Sequence, residues 1–86
     1  MRINEQKARE IFNETIKGGN FMTPNIEEHG ENNGYIYELA SGDSMNGGKI
    51  YGVTIVEDNG GKWEHNHELS ECFHDSKEAR DYINNL

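Results

Sequence analysis

Lys49-Ile50-Tyr51-Gly52-Val53-Thr54-Ile55-Val56-Glu57-Asp58-Asn59-Gly60-Gly61-Lys62-Trp63 decides the fold. Its first half is rich in branched and aromatic residues, which suit a pleated, half-buried surface, and predicts the strongest strand of the chain. Asp58-Asn59-Gly60-Gly61 then supplies residues that tolerate positive φ, the signature of a tight β-hairpin. Two registers are open. With Asn59-Gly60 as the two-residue loop, Glu57 faces Lys62, Val56 faces Trp63, Tyr51 faces Glu68 and Ile50 faces Leu69. With Gly60-Gly61 as the loop, Glu57 faces Glu64 and Asp58 faces Trp63, which sets like charges opposite each other. Cross-strand charge favours the first register.

Upstream, Tyr35-Ile36-Tyr37-Glu38-Leu39-Ala40 predicts a second well-buried strand, joined to the first by a flexible loop over Gly42 to Gly48. Phe21 to His29 is a weaker strand, because Pro24 lacks a ladder donor and confines the segment to an edge. Gly30-Glu31-Asn32-Asn33-Gly34 reads as the turn between them. At the amino end Asn4 can cap a helix whose stripe is Ala8, Ile11, Phe12, Thr15 and Ile16, ended by Gly18-Gly19. At the carboxyl end Asp75-Ser76-Lys77-Glu78 has the form of a capping box, and Ala79, Tyr82, Ile83 and Leu86 follow at helical spacing. The sequence therefore predicts one α+β domain over residues 1–86. An N-terminal helix, a three- to four-stranded antiparallel sheet and a C-terminal helix follow in order, with both helices on one sheet face.

Charge is distributed unevenly along this framework. Residues 18 to 75 carry eleven carboxylates against Lys49 and Lys62, a balance of −9 within a chain of net charge −8. Such a field repels DNA, RNA and anionic lipid and attracts basic protein surfaces. Eighty-six residues bury one modest core and leave little room for a cleft between two lobes. The single cysteine, Cys72, excludes an internal disulfide and suits a reducing compartment. Met1-Arg2-Ile3-Asn4 opens directly into a helical pattern, so the expectation is a cytoplasmic protein without signal peptide or membrane span.

Candidate chemistry is sparse. His65-x-His67 and Cys72-x-His74 offer imidazoles and a thiolate of the kind zinc selects, yet strand parity sets the two pairs on opposite faces unless a bulge near Ser70 intervenes. Their spacing matches no zinc finger, and the favoured reading is an ordinary half-buried face without metal. A Cys72 and His74 dyad has no oxyanion hole signalled beside it. Ser41-Gly42-Asp43-Ser44 resembles the Gly-Asp-Ser segment of the GDSL hydrolases over three residues, without that family's later Asp-x-x-His element. No cofactor and no catalytic residue is expected.

The acidic residues are what remains. Glu27, Glu28 and Glu31 gather near the first turn, Glu57 and Asp58 at the hairpin tip, and Glu64 and Glu68 on the last strand. Carboxylates at i and i+2 on a strand lie about 6.7 Å apart, close to the rise of about 6.8 Å over two nucleotide steps of one DNA strand. The first register also places Tyr51, Val53 and Ile55 beside Glu57, Glu64 and Glu68. If the helices cover the other face, an apolar centre with an acidic rim is exposed, as a protein-binding surface requires. If they cover this one, Trp63, His65 and His67 are exposed instead.

In size, acidity and layout the chain resembles the small inhibitors encoded by bacteriophages and mobile elements, of which anti-CRISPR and anti-restriction proteins are the best known. That resemblance implies a non-enzymatic partner of a basic, nucleic-acid-binding host complex, acting by occupying a DNA-binding groove or blocking a subunit contact. The expected binding residues are Tyr51, Val53, Ile55, Glu57, Asp58, Glu64, Glu68, Glu27, Glu28 and Glu31. Two alternatives stand beside it: a metal-binding domain built on His65, His67, Cys72 and His74, and an accessory domain that self-associates through an open sheet face or edge.

Overall fold

A computed structural model describes residues 3–17 and 22–86. Helix α1 (Glu5–Thr15) precedes strands β1 (Asn25–Asn32), β2 (Tyr35–Asp43), β3 (Lys49–Asn59) and β4 (Lys62–Phe73), and helix α2 (Ser76–Asn84) follows. The strands pair antiparallel in the order β1-β2-β3-β4, so every strand lies beside its neighbour in sequence. The α+β order expected from the sequence is the one observed. Phe21 and Gly18-Gly19, the expected strand start and helix stop, lie outside the described residues. No helix among the described residues is long and apolar enough to cross a membrane.

Both helices start where their caps dictate. The Asn4 side chain accepts from the Lys7 amide at 2.8 Å and the Asp75 side chain from the Lys77 amide at 3.0 Å, each satisfying an orphan donor of a first turn. At the far end of α2, Asn32 Nδ2 donates to the Ile83 carbonyl at 2.8 Å and ties the helix to β1. Tyr82 Oη donates to the Leu69 carbonyl and ties it to β4.

The helices lie on opposite faces of the sheet, which corrects the expectation of a single covered face. Ala79 and Ile83 of α2 pack on Tyr37, Leu39, Val53 and Ile55. Ala8, Ile11 and Phe12 of α1 pack on Ile36 and Val56, with Trp63 alongside. The reason is in the strands. Tyr35 to Ala40 carries apolar side chains at both parities, so one helix layer would leave half of β2 in water, and β2 is instead buried from Ile36 to Gly42. Burial of each such Ile, Leu or Val side chain contributes about 1.5–3 kcal/mol.

The hairpin adopts the register that cross-strand charge disfavoured. Asn59 pairs with Lys62, Asp58 with Trp63 and Glu57 with Glu64, leaving Gly60 and Gly61 as the loop at φ 68° and 91°. Two positive φ values are what a type I′ turn demands, and glycine meets both without strain. Asn also visits the left-handed region, as Asn33 does at φ 53° in the first hairpin, but with Gly60-Gly61 as the loop no side chain at all has to be placed there. The Asp58 carboxylate adds a hydrogen bond from the Gly61 amide at 2.8 Å.

The first hairpin is tighter than expected. Asn33 and Gly34 alone form its loop, at φ 53° and 86°, and Glu31 Oε2 accepts from the Gly34 amide at 2.7 Å. Strand β1 therefore runs on to Asn32, and Pro24 falls just outside it. Glu27 is the extra residue of a bulge between Ile26 and Glu28. Before β1 the chain crosses the α1 side of the sheet over two glycines. A Cβ on Gly42 would overlap the Met22 carbonyl oxygen, and one on Gly52 would lie 3.1 Å from Thr23 Oγ1.

Candidate functional site

Strand β4 contains a larger irregularity that governs every side chain beyond it. Val53 pairs with Glu71 and Ile55 with Asn66, so β4 takes five steps where β3 takes two. Ser70 closes the excursion: its Oγ accepts from the Ile55 amide at 3.0 Å and donates to the Asn66 carbonyl at 2.8 Å. Asn66 Oδ1 accepts from the Leu69 amide at 3.0 Å. With the Ser70 proton committed, His65 Nε2, 3.1 Å away, is the donor to the same oxygen. Burial, then the neighbouring His67, lowers the His65 pKa and keeps the ring neutral. Three extra residues reverse the parity of the strand. Trp63 packs with α1, whereas Leu69 and Phe73 pack with the α2 cluster.

That reversal dismantles the expected apolar centre with an acidic rim. Val53 and Ile55 are 1% and 0% exposed and Tyr51 is half-buried, because α2 lies over them. Glu68 no longer faces Tyr51. It sits in the bulge, exposed, while Tyr51 pairs with Phe73. The alternative exposed set fails too, since α1 half-buries Trp63 and His65 and only His67 is exposed. Among the described residues each sheet face carries one helix.

The acidic residues divide into structural and unpaired groups. Glu28 is structural: its carboxylate takes a 2.7 Å ion pair from Arg80 and a 2.7 Å hydrogen bond from Tyr37 Oη, joining β1, β2 and α2. The Arg80 hydrogen bond holds its pKa below the usual range, against the opposing pull of burial. Glu31 holds the first turn, and Glu27 is exposed on its bulge. Glu57, Asp58, Glu64, Glu68 and Glu71 all lie on the β3–β4 ribbon, and among the described residues none of them forms an ion pair. On the helices, by contrast, Glu5, Glu10 and Asp81 pair with Arg9, Lys7 and Lys77. Glu57 and Glu64 are direct cross-strand partners, and the relief nearest Glu64 is a 3.3 Å hydrogen bond from Asn59 Nδ2.

The four residues of the metal alternative are not assembled. The bulge does restore a common parity to His65 and Cys72, opposite Val56 and Gly52, but four strand positions separate them by about 13 Å. The His65 and His67 rings lie 3.9 Å apart by centroid. Among the described residues no three His, Cys, Asp or Glu side chains converge as a metal site.

One constellation escaped the sequence reading. His29 and Glu38 are cross-strand partners on the α1 side of the sheet, with side chains 1% and 10% exposed and Nε2 3.0 Å from Oε2. Arg9 Nε donates to His29 Nδ1 at 3.3 Å, and a guanidinium is always protonated, so Nδ1 carries the lone pair and Nε2 the proton. His29 is thus a neutral relay between Arg9 and the Glu38 carboxylate, its ring tilted at 56° against Phe12 with centroids 5.1 Å apart. Counting from an Asn33-Gly34 loop pairs residue 29 with residue 38, so the signal was present in the turn.

Glu38 opens on a groove of about 530 Å³ between α1 and the sheet. Phe12 and Ile16 of α1 form one wall, Pro24 and Ile26 the opposite one, and Thr54 and His65 part of the sheet side. Thr23, 3% exposed, also lines it, and its Oγ1 is buried with no hydrogen-bond partner among the described residues. Comparison of the chain with protein-family models, with curated proteins and with solved structures finds no match.

Proposed function

We propose that this protein is a non-enzymatic inhibitor that docks its acidic β3–β4 ribbon on a basic surface of a nucleic-acid-binding protein or nucleoprotein complex, in the manner of anti-CRISPR or anti-restriction proteins. The observation that carries the reading is the direct opposition of Glu57 and Glu64 at the ribbon tip, with Asp58 adjacent and, among the described residues, no cation paired to any of them. Like charges facing across a ladder cost stability, while a cationic partner turns the same repulsion into attraction. The bulge breaks any even row of carboxylates, so the docking relies on a concentrated tip rather than on a track spaced like phosphates. Such a partner is met in a bacterial cytoplasm, and nucleic acid itself is repelled.

The test is capture of proteins from bacterial lysate on the immobilised wild-type chain and on a Glu57→Lys, Glu64→Lys variant, at low and high salt. A specific, identified nucleic-acid-binding protein retained by the wild type at low salt and lost from the variant is the expected result. Capture indifferent both to salt and to charge reversal counts decisively against the reading.

A further inference from the structure

The groove beneath α1 lies away from the acidic ribbon tip and is built differently. Its volume of about 530 Å³ falls within the roughly 300–1,000 Å³ of small-molecule sites, which pair apolar walls with a few placed polar groups. Two of those polar groups are left incomplete. Among the described residues Glu38 accepts one hydrogen bond, from neutral His29, although a carboxylate can accept several. Arg9, which reaches Glu38 only through His29, already holds Glu5 at 3.1 Å, and among the described residues no lysine or arginine forms an ion pair with Glu38. Buried charges are ordinarily paired. Thr23 presents a buried hydroxyl with no partner among the described residues, a rarity in protein interiors.

The other titratable groups around the groove do not supply the missing charge. His65 is neutral and engaged with Ser70, and Lys17 stands at the rim, exposed to solvent. We propose that the groove binds a small organic cation, an ammonium or amidinium on a flat apolar body, with the Glu38 carboxylate as its charge partner. The body lies between Phe12 and Ile16 on one side and Pro24 and Ile26 on the other. The Thr23 hydroxyl, turned about its Cα–Cβ bond, accepts a second N–H of the cation. Neutralising Glu38 in this way leaves the Arg9–Glu5 pair undisturbed.

Titration of the full chain with phenethylamine, followed by amide chemical shifts and thermal melting, tests the site. Phenylacetate, the same body with the opposite charge, is the control. The expected result is saturable shifts centred on Glu38 and Thr54, a raised melting temperature, and no response to phenylacetate. Glu38→Gln should weaken binding by about tenfold or more, the scale of a hydrogen bond to a charged group. Ile26→Lys, at a position 58% exposed and therefore harmless to folding, sets a competing cation at the mouth and should weaken binding even if Glu38→Gln fails to fold. No saturable response to phenethylamine, an equal response to phenylacetate, or undiminished affinity in the Ile26→Lys variant would each overturn the proposal.

Discussion

His29 donates from Nε2 to Glu38 Oε2 across the β1–β2 pair, at 3.0 Å and almost out of reach of solvent. The bond joins the sheet to α1, because Arg9 completes it from the helix and Phe12 covers it. Glu38→Ala leaves a buried imidazole N–H without an acceptor, and should lower the free energy of unfolding by about 1–3 kcal/mol. Adding His29→Leu to that variant should cost much less than His29→Leu costs alone, since the orphan is removed with its partner. A double-mutant cycle by urea denaturation gives the coupling, and a value near zero would show that the two side chains act independently.

Glu57 and Glu64 meet at the ribbon tip without a cation. Glu57→Gln should therefore stabilise the free protein by about 0.2–1 kcal/mol at low salt. The gain should shrink at high salt, most of all on the exposed Glu64 side, and persist in part because Glu57 is half-buried. If the partner proposed above reads this pair, the same substitution weakens docking while it strengthens the fold. Parallel denaturation and binding measurements on one variant separate the two effects.

The Glu28 pKa is lowered, first by the Arg80 hydrogen bond. Between its ordinary value of 4.5 and its lower native value the unfolded chain binds more protons than the native one. The stability this provides is complete above pH 4.5 and is lost as pH falls through the native value. Arg80→Met should flatten that acid limb in urea titrations run at successive pH values. Tyr37 works in the other direction. Burial, and then the Glu28 carboxylate, push it from 10.0 up to about 12, so its contribution is whole below pH 10.0 and declines as pH rises through about 12. Tyrosinate absorbance in the folded protein should show it still protonated at pH values where an ordinary tyrosine has ionised.

Gly42 is where the chain entering β1 crosses the sheet. Because a Cβ there overlaps a backbone oxygen rather than the end of a flexible side chain, Gly42→Ala should destabilise by about 3 kcal/mol. Gly48→Ala is the control. Its Cβ would meet nothing closer than Ser44 Oγ at 3.8 Å, and its effect should stay within about 0.5 kcal/mol.

Both helices and the two central strands were legible because their apolar spacing, caps and branched residues agree with one another. The helix faces were not, since an apolar run such as Tyr35 to Ala40 says that both sides need cover without saying which helix supplies it. The hairpin register was not legible from cross-strand charge, because Asn59-Gly60 and Gly60-Gly61 both suit a tight turn and the chain uses the two glycines. The β4 bulge had no signal in composition: Asn66 and Ser70 look like ordinary strand polar residues until their side chains replace ladder bonds. From that omission followed the misplacement of Glu68 and of the apolar surface at Tyr51, Val53 and Ile55.

The bulges also decide how this sheet meets its own kind. An outer strand with a straight row of unpaired amides and carbonyls is a template on which another chain can lie down, and the two outermost strands here are β1 and β4. Strand β4, though twelve residues long, is broken between Asn66 and Glu71, and β1 is kinked at Glu27, three residues after Pro24. Among the described residues the unbroken ladder of β1 is confined to residues 28–32 and that of β4 beyond the hairpin to residues 62–66, so each straight stretch is short. The interruptions thus shorten the edge that a neighbouring chain could extend, and they do so through backbone shape, independently of charge.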